Sequence, residues 1–215
     1  MLHFSLRIGA LLLAGAAAGM FGAREAAAAA QRQILVVGDS LSAEYGLQRG
    51  TGWVALLTKR LTQSKPGYAV VNASISGDTT AGGLSRLPPL LASHPAVVVI
   101  ALGGNDGLRG LPLADTRRNL DAMATKASAA GAKVVLVGIR MPPNYGRQYN
   151  EDLGRMYSEV AAARKAVLVP FMLQGVADRA DADDWFQADH IHPAAKAHPL
   201  ILDNIWPRLE PLLTP

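Results

Sequence analysis

Five short apolar runs, at residues 34–37, 68–73, 97–102, 133–139 and 167–169, are rich in Val, Ile and Leu and give way to small or turn-forming residues. Uninterrupted runs of this kind belong to strands covered on both faces, as in a parallel sheet. Between them apolar positions recur at helical spacing: Trp53, Leu56, Leu57 and Leu61, then Leu84, Leu87 and Leu91. Further helices are predicted from about 114 to 130, closed by Gly131, through Met156 and Val160, and through Leu200, Ile201, Ile205, Trp206 and Leu209. At that spacing Trp53 is expected in the core rather than on a ligand. Asp78 or Thr79 is the expected N-cap of the second helix. Residues 108–113 read as an apolar loop. The stretch 171–187 has no clear period, and Asp178, Asp181, Asp183 and Asp184 give it the look of a solvated face.

The alternation of strand and helix at roughly 30 residues per unit predicts an α/β fold. We expect a three-layer α/β/α sandwich around a five-stranded parallel sheet. A chain of 215 residues, half of them apolar, suits one core, and no repeat or linker interrupts residues 31–215. In such a sheet every strand ends along one edge, where these folds hold their ligands.

Composition narrows the function. Residues 1–30 stand apart: Arg7 opens them, 8–20 is an Ala/Leu/Gly run, and 26–30 is all Ala. This is the layout of a cleaved secretory signal peptide, with an apolar core short for the ~20 residues of a bilayer span. The expected product is exported, periplasmic or secreted, with no stable membrane anchor. There is no Cys, which excludes disulfides, thiolate metal sites, a Cys nucleophile and a lipidated Cys. A formal charge of +4 without a Lys/Arg block, and only 6% aromatic residues, argue against a nucleic-acid partner.

Ser40 follows the first strand, in Gly38-Asp39-Ser40-Leu41-Ser42. Alone, that tripeptide could be a turn whose Asp or Ser merely caps backbone N–H groups. Three other strand-end stretches change its meaning. One is Ser76-Gly77-Asp78-Thr79. A second is Gly103-Gly104-Asn105-Asp106, which lacks the Lys-Ser/Thr of a phosphate-binding loop. The third is Asp189-His190-Ile191-His192-Pro193.

A Ser hydroxyl needs a base, and His is the side chain suited to take and return its proton. His94 precedes the third strand and so lies at the wrong edge. His198 reads as a surface residue of the last helix. Asp189 stands three residues before His192, close enough in a tight turn to hold its Nδ1–H. His192 is therefore the expected base, with Asp189 as its acid and His190 lining the pocket or the surface. The Ser40 N–H, the Gly77 N–H and the Asn105 amide are the expected oxyanion donors.

These blocks resemble the GDSL or SGNH hydrolases. The nucleophile block is Gly38-Asp39-Ser40, Gly77 and Asn105 match the two oxyanion blocks, and Asp189-x-x-His192-Pro193 matches the last. The stretches 71–79, 102–110 and 143–146 are similar to the bacterial periplasmic thioesterase I/lysophospholipase/arylesterase subfamily, over nearly all of 31–212. The chain departs from that pattern at His190, where the subfamily has Gly, which narrows the mouth of the site. The resemblance implies a flavodoxin-like sheet, no metal or other cofactor, and hydrolysis of small-molecule acyl esters and thioesters through an acyl-enzyme; we expect a monomer. It also implies that the loop 142–149, including Tyr145, contacts or gates the acyl chain. Leu108, Leu111, Met141 and Pro142 fit the same role. A short-chain carbohydrate deacetylase, or a non-catalytic exported module, is the alternative.

Overall fold

The computed structural model describes residues 31–214, so the signal peptide expected at 1–30 lies outside the described residues. Its centre is a parallel sheet of β1 (Arg32–Gly38), β2 (Tyr68–Asn72), β3 (Val97–Ala101), β4 (Lys133–Val137) and β5 (Val167–Val169), in the order 2-1-3-4-5. All five residues of β3 are buried. Both faces are covered, which is why its sequence shows no polar alternation.

Helices α1 (Trp53–Ser64) and α6 (His198–Leu209) pack together on one face; α2 (Thr80–Leu91), α4 (Leu113–Ala129) and α5 (Arg147–Arg164) pack in succession on the other. Short α3 (Gly104–Leu108) follows β3 directly. Trp53 is fully buried, as its spacing predicted. Thr79, not Asp78, caps α2, its hydroxyl accepting from the Gly82 N–H at 3.3 Å.

Because the sheet order turns back at β1, the loops after β1 and β3 leave from paired strand ends, Gly38 opposite Ala101. That switch point opens a crevice above the middle of the sheet. The loop after β2 flanks it on the other side of β1.

Three expectations need correction. The turn after β3 is helical, because Asp106, in the first turn of α3, is pinned by hydrogen bonds from α2. The stretch after β5 is no solvated face throughout: Phe171, Met172, Leu173 and Val176 are buried, while Asp178, Asp181, Asp183 and Asp184 do face water. His198 is not a surface residue but 2% exposed, with Nδ1 accepting from the Trp53 N–H at 3.0 Å. That bond supplies an acceptor for a first-turn donor of α1, whose N-cap residue, Gly52, has no side chain to offer. Burial pushes the His198 imidazole below its ordinary pKa.

Candidate active site

Gly38 ends β1 where no side chain fits: a Cβ there would lie 2.7 Å from Ser42 Oγ and 2.9 Å from Ser74 Oγ. The chain then folds into a tight turn in which Ser42 and Ala43 both donate to the Asp39 carbonyl at 3.0 Å. Ser40 sits on top of this turn, half-buried.

The base arrives from the far end of the chain. Residues 185–194 form a tight loop closed by an antiparallel bridge between Phe186 and Pro193 and by Gln187 N–H donating to the His192 carbonyl at 2.7 Å. Within it Asp189 Oδ1 accepts from the Ile191 and His192 N–H groups, each at 3.0 Å. Its Oδ2 lies 2.6 Å from His192 Nδ1, and His192 Nε2 lies 2.8 Å from Ser40 Oγ. Partial burial alone would raise the Asp189 carboxyl. The two N–H groups and the imidazole outweigh it and hold the pKa at about 2, so this acid stays ionised.

With Nδ1–H donated to Asp189, Nε2 is left as the acceptor for the Ser40 hydroxyl. The three side chains thus form a hydrogen-bonded relay in the order a nucleophilic serine requires.

The donors lie beside it. Gly77 has φ +78°, a left-handed conformation that suits Gly, and its carbonyl accepts from Arg109 at 2.7 Å. Among the described residues the N–H groups of Ser40 and Gly77 donate to no protein acceptor. Asn105 Nδ2 donates to the Asp78 carbonyl at 2.9 Å, which fixes the amide at the crevice. Its other approach, to Asp39 Oδ2, is long at 3.4 Å. Asp39 is buried, and that burial raises its carboxyl to about 6 despite a hydrogen bond from the Leu41 N–H and the nearby His192.

The supporting residues carry no sequence motif. Arg86 on α2 donates to Asp78 at 2.7 Å and to the Ala73 carbonyl, so it ties the loop after β2 to the helix beneath it. Asp106 accepts from the Thr80 N–H at 2.9 Å and from the Thr80 hydroxyl, with Thr116 at 3.3 Å. That cluster locks the Asn105 turn against α2.

A cleft of about 610 Å³ opens from Ser40 and His192. Its walls are largely apolar, from Leu108, Ile139, Met141, Pro142, Phe171, Leu173, Phe186 and Ile191. Gly107 admits Met141, since a Cβ there would meet its Sδ at 2.7 Å. Leu108, Met141 and Pro142 line this cleft. Leu111 and Tyr145 do not line the cleft: Leu111 lies beyond the end of α3, and Tyr145 turns to Tyr149, with ring centroids 5.9 Å apart. His190 stands at the mouth, its Nδ1 3.3 Å from exposed Asp183.

Sequence reasoning missed Phe171, Leu173 and Phe186, whose apolar character was masked by neighbouring acids, and Tyr45, which stacks on His192. No group of three or more potential metal ligands occurs among the described residues, and no helix there is long and apolar enough to cross a membrane.

Comparison with known proteins agrees with this architecture. Esterase TesA of Pseudomonas aeruginosa is 56% identical over 205 residues, covering 95% of this chain and 99% of its own. Thioesterase 1/protease 1/lysophospholipase L1 of Escherichia coli K12 is 44% identical over 187 residues, covering 86% of this chain and 87% of its own. A crystal structure of TesA superposes with a TM-score of 0.81 at 58% identity, covering 85% of this chain and all of that one. Residues 36–200 match the GDSL-like Lipase/Acylhydrolase family, and the chain belongs to that family.

Proposed function

We propose that this protein is a serine esterase that hydrolyses acyl esters and thioesters of medium to long chain through an acyl-enzyme. Ser40 Oγ attacks the carbonyl carbon while His192 Nε2 takes its proton. The oxygen that becomes negative is held by the Ser40 N–H, the Gly77 N–H and the Asn105 amide, each such donor being worth ~10²–10³ in rate. The imidazolium then gives its proton to the departing alcohol or thiol, and Asp189 stabilises it in the meantime. Water, deprotonated by the same ring, releases the acid.

The observation that carries this reading is the unbroken Asp189–His192–Ser40 relay, at 2.6 and 2.8 Å. The apolar wall of Leu108, Met141, Pro142 and Phe171 favours an acyl chain over a sugar, because a sugar would leave its hydroxyls unpaired there. On its N-terminal sequence we place the mature protein outside the cytoplasm.

Replacing Ser40 by Ala should abolish hydrolysis of p-nitrophenyl acyl esters; near-full activity in that variant contradicts the assignment. A series from acetyl to palmitoyl esters tests the chain length. A steep preference for acetyl would move the reading to a deacetylase.

A further inference from the structure

The Tyr45 ring lies against the imidazole of His192, with centroids 4.3 Å apart and planes inclined by 35°. Tyr45 is half exposed, so core packing does not account for its position. Its place is nevertheless built. The Tyr45 carbonyl accepts from Gln187 Nε2 at 2.9 Å, and the same amide donates to the Pro193 carbonyl at 3.1 Å. Gln187 N–H is already bonded to His192, so one side chain clamps the Tyr45 loop to the loop of the base. Beside it in the chain Glu44, at φ +59°, accepts from the Gly50 N–H at 3.0 Å and the Gly52 N–H at 2.8 Å, which closes the loop. Gly46 has room only for hydrogen there, since a Cβ would meet Gln187 Oε1 at 2.0 Å.

We infer that Tyr45 is a positioning residue for the base. Resting on the esterase reading above, its ring holds the His192 imidazole in the plane that joins Asp189 to Ser40, and its π face steadies the imidazolium formed during attack. Asp189 holds one ring nitrogen throughout, but the Nε2 contact to Ser40 is lost once the serine oxygen is acylated; the tyrosine face then keeps the imidazole in place. An aromatic face also attracts the positive charge that appears as the serine proton moves. The charged groups that act on His192 are Asp189 on its own loop, through the Nδ1 hydrogen bond, and Asp39 from the loop after β1, through its field.

The test compares Tyr45→Phe, Tyr45→Leu and Tyr45→Ala with the wild type in the pH dependence of kcat and kcat/KM for a short p-nitrophenyl ester. The Phe variant should match the wild type within twofold, because the hydroxyl has no part. The Ala variant should lose about tenfold in kcat with KM nearly unchanged, the scale of a misplaced catalytic group. Its acid limb should move to lower pH by about half a unit, as expected for a lost cation–π contact. The Leu variant, which keeps the bulk without the π face, should recover part of kcat yet keep the shifted limb. A kcat within twofold of wild type in the Ala variant, or an acid limb that stays put or moves upward, overturns the proposal. Titration of Ser40 with a fluorophosphonate separates the two levels: an unreactive wild type sinks the esterase reading itself, whereas a reactive wild type with an indifferent Ala variant sinks only the role of Tyr45.

Discussion

Asp106 accepts the N–H of Thr80 across a buried gap, at 2.9 Å, and so joins the first turn of α3 to the first residue of α2. Asn105 is its immediate neighbour, and the loop carrying Gly77 ends at α2. One carboxylate therefore sets the spacing between two of the proposed oxyanion donors.

Replacing Asp106 by Ala strands the Thr80 N–H and the Thr80 hydroxyl proton in the interior. Unsatisfied buried donors cost about 1–3 kcal/mol each, so a loss of at least about 2 kcal/mol is expected in urea unfolding. Esterase turnover should fall together with stability, because the turn that carries Asn105 loses its anchor to α2. An unchanged urea midpoint would show that the cluster contributes nothing.

Asp39 gives stability an unusual pH dependence. Its carboxyl is raised from 3.8 to about 6, burial being the main cause, so between those values the folded state holds a proton that the unfolded chain has released. Its contribution therefore falls as pH rises from about 4 to about 6, by about 3 kcal/mol in all. Asp39→Asn removes it, and the stability of that variant relative to wild type should climb across this window. His198 works in the opposite sense, since its lowered pKa costs stability below the ordinary His range, and it is common to both proteins. Parallel stability curves for the two would contradict the buried carboxyl.

Asp189→Asn should preserve the fold, since its side chain is 37% exposed, yet lose up to ~10⁴ in kcat through the wrong imidazole tautomer. With Asp189 held at about 2, wild-type activity should show no carboxylate limb near pH 4. A merely few-fold loss would mean that another carboxylate orients the base.

Gly103 adopts φ +122°, and a Cβ there would lie 2.2 Å from the Tyr157 hydroxyl. That hydroxyl is buried and donates to the Leu102 carbonyl at 2.7 Å. Gly103→Ala should therefore cost about 2 kcal/mol or more, from backbone strain and the displaced phenol together, and lower turnover by shifting the Asn105 turn. Calorimetry of the variant provides the check.

The strand ends and the chemistry on them were legible because both are local. A β-branched run ending in Gly names its own strand, and Asp189 and His192 are three residues apart. What holds these groups in place was not legible. Arg86, Arg109 and Gln187 act on carbonyls far away in sequence, and nothing near them marks the partner. His198 looked like a surface residue because its acceptor role depends on Trp53, 145 positions earlier. Helix α3 escaped notice because Gly103, Gly104 and Gly107 disfavour a helix that only the Asp106 cluster secures. Leu111 was drawn to the cleft by its apolar character and Tyr145 by the family resemblance of its loop; neither lines the cleft, and Tyr145 packs instead on Tyr149.

The most direct test of the relay is the mass of the intact protein after a fluorophosphonate, followed by peptide mapping, in the wild type, Ser40→Ala and His192→Ala. The account expects one adduct on Ser40 in the wild type, none in Ser40→Ala, and labelling slowed at least a hundredfold in His192→Ala. An adduct at another residue, or equal labelling without the imidazole, contradicts it.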